Sequence, residues 1–169
     1  MKATRILLVA IVAIMTATMT ACGIYSFTGA SYGTAKTVSI DYFQNRSTYV
    51  NSTLSSKITE DLKDRFMSQT PLTLVKDGGD LHFEGTITGY TITTAAIKAG
   101  ETAASNRLTI TLKVTFSNQT APENDFDKSY SRYADYDVSS SFAAVESTLV
   151  DEIVELLIDD IFNDSVVNW

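Results

Sequence analysis

Beyond residue 35 the apolar side chains recur with two distinct periods, and the periods switch at positions marked by turn residues. Val38, Ile40 and Tyr42 alternate with polar neighbours, which predicts a strand over 36–42. Leu54, Ile58, Leu62 and Phe66 then repeat every four residues, placing one apolar stripe on a helix. Asn51 or Thr53 can cap its start, and Pro71 ends it near Gln69 because proline cannot continue the hydrogen-bond ladder. A short strand follows from Leu72 to Lys76. The string Asp77-Gly78-Gly79-Asp80 reads as a tight turn into a longer strand, Leu81 to Thr93. Leu81, Phe83 and Ile87 share one face of that strand, whereas Tyr90 and Ile92 fall on the opposite parity. Gly89 lies at the change, so a β-bulge is expected there.

A loop of small residues, Thr94 to Ser105, leads into the cleanest alternation in the chain. Leu108, Ile110, Leu112, Val114 and Phe116 point one way, and Thr109, Thr111, Lys113 and Thr115 the other. Such a strand belongs to a sheet with one buried and one wet face. Asn118 to Asp125, with Pro122, is a hairpin loop, and Phe126 to Tyr136 is a Tyr-rich strand. After the possible caps Ser139 to Ser141, a long helix carries Phe142, Val145, Leu149, Ile153, Leu156, Leu157 and Ile161 as its apolar stripe. Its acids Asp151, Glu152, Glu155, Asp159 and Asp160 read as solvated charge. The order is β-α-(β)-β-β-β-α. Two one-sided helices and a one-sided sheet are most economically buried as an α+β two-layer sandwich. Both helices then lie on one face of a four- to five-stranded, mostly antiparallel sheet, leaving a Thr- and Tyr-rich face wet or covered by a partner.

The first 21 residues follow a different pattern. Lys2 and Arg5 precede an apolar stretch, Ile6 to Met15, and small residues lead up to Ala21, with no acid throughout. This is the layout of a secretory signal peptide, and the apolar stretch is too short for a membrane span. Met19-Thr20-Ala21-Cys22-Gly23 resembles a bacterial lipobox, which implies cleavage before Cys22 and lipidation of its thiol. Gly23, where an Asp would favour retention in the inner membrane, favours the outer membrane. The expected organisation is a signal peptide at 1–21, a lipidated tether at 22–35 and a single α+β domain at 36–169.

Composition narrows the chemistry further. The chain has a formal net charge of -7, one Cys and one His among 169 residues. Removing residues 1–21 takes two positive charges and no negative ones, leaving the domain at -9. That balance is opposed to nucleic acid binding, which draws its affinity from Lys and Arg against phosphate. A lone Cys makes neither an internal disulfide nor a Cys-based zinc site. Gly29-Ala30-Ser31-Tyr32-Gly33 matches the G-x-S-x-G of a hydrolase nucleophile elbow, but it lies in the tether, without the preceding strand and following helix that the elbow needs. His82 falls within a strand and reads as structural. Asp135 and Asp137 lack the further oxygen ligands of a calcium site and read as turn and cap residues. Gly78-Gly79 lacks the Lys and helix of a phosphate loop. No cofactor, metal or catalytic group is expected. Tyr130, Tyr133 and Tyr136 lie on both faces of one strand, with Tyr42 and Tyr90 available nearby, and are candidate partner contacts, since Tyr suits surfaces wet at one end and apolar at the other. Val166-Val167-Asn168-Trp169 ends the chain on an apolar run that either folds back onto the core or meets a partner or membrane.

Several strings resemble the LptE-type lipopolysaccharide-assembly lipoproteins. They are Cys22-Gly23-Ile24-Tyr25-Ser26-Phe27, Lys36 to Phe43, Asn106 to Thr111 and Arg132 to Tyr136. The resemblance implies a non-enzymatic lipoprotein on the periplasmic side of the outer membrane. Such a protein occupies the lumen of the LptD β-barrel, supports its assembly and assists lipopolysaccharide delivery to the cell surface. It also implies that lipopolysaccharide can be contacted by basic loop residues, for which Lys98 and Arg107 are the local candidates. The acidity of the chain favours the plug and assembly role over direct lipid handling. Two alternatives stand beside it: a lipid-anchored accessory subunit of another envelope transport or secretion complex, and a tethered serine hydrolase using Ser31.

Overall fold

The computed structural model describes residues 33–49, 51–95 and 105–166. Its elements are β1 (Thr37–Ile40), β2 (Gln44–Asn45), α1 (Leu54–Gln69), β3 (Thr73–Leu74), β4 (Leu81–Ala95), β5 (Ser105–Asn118), a 3-10 turn (Pro122–Asn124), β6 (Phe126–Asp137) and α2 (Phe142–Val166). The strands form one sheet in the order β3-β1-β4-β5-β6, with β2 also paired to β4. Both helices pack on one side of it, giving the two-layer α+β sandwich anticipated from the pattern. No helix among the described residues is long and apolar enough to cross a membrane.

The periodicities account for most of the core. All five inward residues of β5 and all four of the α1 stripe are fully buried. At the start of α1, Asn51 Oδ1 accepts the backbone N–H groups of Thr53 and Leu54 at 3.0 and 3.1 Å, so Asn51 satisfies amides that the first turn leaves open. The bulge falls where the parity changes: the β4–β5 register shifts between Ile87 and Gly89, which turns Tyr90 inward. Ile92, near the far end of the hairpin, stays exposed.

Three features differ from the sequence reading. First, the sheet has six strands and is mixed. Only β4-β5-β6 are antiparallel; β1 runs parallel to both β3 and β4, and β2 runs parallel to β4. The reason is connectivity: α1 is a crossover that returns the chain in the direction of β1. Second, Gly78-Gly79 does not close a hairpin, because β1 lies between β3 and β4. The segment crosses β1 instead, with Gly79 so close that a β-carbon there would lie 2.6 Å from Ser39 N. Asp80 fastens the crossing by accepting the N–H groups of Lys36 and Thr37 at 2.8 and 3.1 Å, while its own N–H donates to Thr37 Oγ1 at 2.9 Å. Those bonds hold the Asp80 carboxyl below its ordinary pKa.

Third, two apolar faces are redistributed. β1 ends at Ile40, so Tyr42 is exposed and Phe43 fills the core in its place, with its N–H donating to Thr59 Oγ1 at 3.1 Å. On α2 the buried stripe is broader than predicted and takes in Val150, Val154, Ile158, Phe162 and Val166, while Leu156 is exposed. α2 is covered from two directions, by β5–β6 and by α1, so two adjacent rows of side chains are buried rather than one.

Candidate functional site

The sheet face opposite the helices is uncovered over β4, β5 and β6. Cross-strand rows of Thr86, Lys113 and Ser129, of Thr91, Thr109 and Tyr133, and of Thr93, Arg107 and Asp135 run across it. Threonine dominates because a β-branched side chain suits the pleat while its hydroxyl tolerates water. The charges on this face are mostly matched within it. Lys113 Nζ lies 3.0 Å from Asp127, and Arg107 forms a two-pronged bridge to Asp135 at 2.7 and 2.8 Å. The guanidinium of Arg107 also lies 3.5 Å above the ring of Tyr133, and Asp135 is the chief reason its pKa is raised further. Beyond β6 no further strand pairs among the described residues, so its outer edge is free. Asp127, Lys128, Arg132, Asp135 and Asp137 lie along it and discourage indiscriminate strand addition.

Of the candidate contact residues, Arg107 and Tyr133 lie on this open face. Tyr130 and Tyr136 turn the other way and are buried beneath α2. Tyr130 donates its hydroxyl to Asp164 at 3.0 Å, and Tyr136 packs on Phe142 with ring centroids 5.8 Å apart. Alternation along β6 makes this separation, since residues 130, 132, 134 and 136 share the helix face. Cys22, Ser31, Lys98 and Trp169 lie outside the described residues.

Several groups read as solvated or structural have particular partners. Asp160 takes Arg132 in a two-pronged bridge at 2.6 Å, Asp164 takes Lys128 at 3.0 Å, Asp151 takes Lys57 at 3.0 Å, and Asp159 takes Arg65. These acids thus lace α2 to β6 on one side and to α1 on the other. Glu146 joins three elements: it accepts Tyr90 Oη–H at 2.6 Å and Asn51 Nδ2–H at 2.9 Å, and Tyr49 stacks on Tyr90 with centroids 4.9 Å apart. Burial, reinforced by the bond to the carboxylate, raises the pKa of both Tyr90 and Tyr130. Asp135 is engaged by Arg107, and Asp137 accepts Ser139 N–H at 2.7 Å as a turn residue.

His82 stands on the open face of β4, with its Nδ1 2.8 Å from Ser39 Oγ and its Nε2 near Asp41 and Glu84. Ser, His and acid are the ingredients of nucleophilic catalysis. Ser39, however, has no solvent exposure and its Oγ accepts Gly79 N–H at 3.1 Å, so a substrate cannot reach it. The sequence contained the clue, two polar residues at alternate positions on each of two strands, but not the pairing of those strands.

Two helices over one side of a mixed sheet, with a polar open face and no accessible nucleophile at His82, define a small two-layer α+β domain. The chain belongs to the LptE lipopolysaccharide-assembly family, whose family model matches residues 35–165. This is a family of non-enzymatic lipoproteins. Among curated proteins none matches the sequence. Among solved structures, a putative neuraminyllactose-binding hemagglutinin homolog from Helicobacter pylori is 7% identical, with 78% of this chain and 83% of that chain covered at a TM-score of 0.51. A protein from Xanthomonas campestris is also 7% identical, with 79% and 84% covered at 0.50. A minor lipoprotein from Acinetobacter baumannii is 12% identical, with 78% and 96% covered at 0.48. At these identities the likeness concerns the fold alone.

Proposed function

We propose that this chain is a lipid-anchored, non-enzymatic protein on the periplasmic side of the outer membrane. It docks in an LptD-type β-barrel, supports assembly of that barrel and thereby assists lipopolysaccharide delivery to the cell surface. Membership of the LptE family over residues 35–165 carries the reading. The signal-like segment before Cys22 supports the anchor, and acyl chains on that thiol would each contribute about 0.8 kcal/mol per buried CH₂.

The open face supports the docking mode. The lumen of a large outer-membrane barrel is polar, and a threonine-rich surface whose charges are already matched loses little on entering it. Arg107 and Tyr133 lie on that surface and are its proposed contacts. Direct handling of lipopolysaccharide is the weaker reading, because Lys57, Lys63, Arg65, Arg107, Lys113, Lys128 and Arg132 each face a carboxylate of this chain.

A photocrosslinking residue placed at Thr91 or Ser129, with one at Glu152 on the outer side of α2 as the control, tests the proposal. The expected result is an adduct with a large β-barrel from the open-face positions, identified by mass. Recovery of a lone monomer, together with an intact permeability barrier after depletion, would overturn it.

A further inference from the structure

The side chains of Asp41, His82 and Glu84 converge on one point of the open face. Asp41 Oδ2 lies 3.9 Å and Glu84 Oε1 3.4 Å from His82 Nε2, and one donor atom from each residue falls within 4.8 Å of the others. The backbone sets this arrangement. Ser39 pairs with His82 across the parallel β1–β4 register, and the chain past β1 stays in step because Asp41 N–H donates to Phe83 O at 2.9 Å. Parity then aims residues 39, 41, 82 and 84 at the same face.

The hydrogen bonds of Ser39 determine which ring nitrogen is free. Its Oγ receives Gly79 N–H at 3.1 Å, reaches Leu81 O at 3.5 Å and touches His82 Nδ1 at 2.8 Å. A hydroxyl has one proton to give. All three contacts are satisfied together only when that proton goes to Leu81 O and Nδ1–H donates to Oγ. In the neutral ring that carries Nδ1–H, the Nε2 lone pair faces two carboxylates, an arrangement that a cation seated between them relieves.

We propose that Asp41, His82 and Glu84 bind a divalent transition-metal ion of the zinc type. One imidazole and two carboxylates balance its charge. Tetrahedral Zn²⁺ with bonds of about 2.0–2.2 Å separates its ligands by roughly 3.3–3.6 Å. The 3.4 Å between Glu84 Oε1 and His82 Nε2 lies in that range, and the exposed Asp41 carboxylate, 3.9 Å from Nε2, closes the remainder by a small side-chain rotation. Ser39 is the outer partner that orients the imidazole, a role usually filled by a carboxylate or backbone carbonyl on a metal-bound histidine. A shallow cleft bordered by Asp41, Glu84, Arg46 and Lys113 leaves the fourth position to solvent. The bound ion would clamp the chain leaving β1 onto β4.

The test is a calorimetric titration of the full-length chain in detergent with ZnCl₂. The expected result is one Zn²⁺ per chain, not displaced by excess Mg²⁺ or Ca²⁺, with a rise in Tm. Because the chain has one His, His82→Ala abolishes this binding, whereas zinc held at Cys22 would survive it. Asp41→Asn and Glu84→Gln, both at exposed positions that leave the fold intact, each weaken binding at least about tenfold, and Ser39→Ala weakens it about 10–100-fold. No stoichiometric binding, or an isotherm unchanged in His82→Ala or in the double variant Asp41→Asn/Glu84→Gln, would overturn the site.

Discussion

The ring of Phe43 rests on the backbone of Gly85, where a β-carbon would fall 2.0 Å from Phe43 Cε1. Glycine weakens a strand interior, and here that cost makes room for an aromatic ring in the core. Gly85→Ala is expected to destabilise the domain by about 1–3 kcal/mol through overpacking. Phe43→Ala should cost about 3–5 kcal/mol through the cavity it leaves. Once the ring is gone the added methyl has space, so the double variant should be less destabilised than the two single losses combined. Denaturant unfolding of the four proteins measures this, and strict additivity would contradict the contact.

The adjacent glycines at 78 and 79 should respond differently to the same change. Gly78 has φ +67 with nothing within 4 Å of an added β-carbon, so Gly78→Ala costs only the left-handed backbone penalty of about 1–2 kcal/mol. Gly79 faces backbone atoms of Val38, Ser39 and Leu81 at 2.6–2.8 Å, which cannot rotate away. Gly79→Ala is expected to cost at least about 3 kcal/mol or to prevent folding. Similar melting temperatures for the two variants would argue against a crossing at Gly79.

Alkaline pH should expose the buried tyrosines. Tyr90 and Tyr130 have folded pKa values above the ordinary 10.0, so each contributes stability that is complete below pH 10 and lost as pH rises through the folded value. Tyr130→Phe gives up a hydrogen bond to Asp164 and should be less stable than the parent by about 1 kcal/mol at neutral pH. The difference is expected to shrink between pH 10 and 12, because only the parent must keep a phenol protonated. A constant difference across that range would show that Tyr130 titrates normally.

The bridges that lace α2 to β6 should be specific and salt-sensitive. Arg132→Asp and Asp160→Arg should each lower Tm, and the combined swap should recover most of the loss by restoring the pair in reverse. The losses should diminish in 1 M salt, where screening acts over about 3 Å. Failure of the swap to recover stability would indicate that packing of the Arg132 stem, rather than charge, is what matters.

Docking and folding should be separable on the open face. Thr91 and Ser129 are exposed and lie opposite the helices. Thr91→Arg and Ser129→Arg should change stability by no more than about 0.5 kcal/mol. Both should reduce recovery of the β-barrel in a pull-down. Unchanged recovery from both would direct attention to the β6 edge or the helix side instead.

By itself the sequence determined what each segment buries. β5 shows it most plainly: five alternating apolar residues and their threonine neighbours specify the strand, its inner face and its wet face. The four-residue spacing from Leu54 to Phe66 does the same for α1, and the parity change at Gly89 locates the bulge. The family was legible too, in strings that span much of the domain. Only the tertiary structure decided which strands are neighbours. It inserted β1 between β3 and β4, made Gly79 a crossing rather than a turn, and set Ser39 and Asp41 beside His82 and Glu84. It gave the acids of α2 their partners and divided the tyrosines of β6 between the core and the open face. The difference is physical. Periodicity records the solvent exposure of each residue relative to its own neighbours in the chain. The choice of partner strand follows from the packing of the whole core and the reach of the connections, and these leave no mark on local spacing.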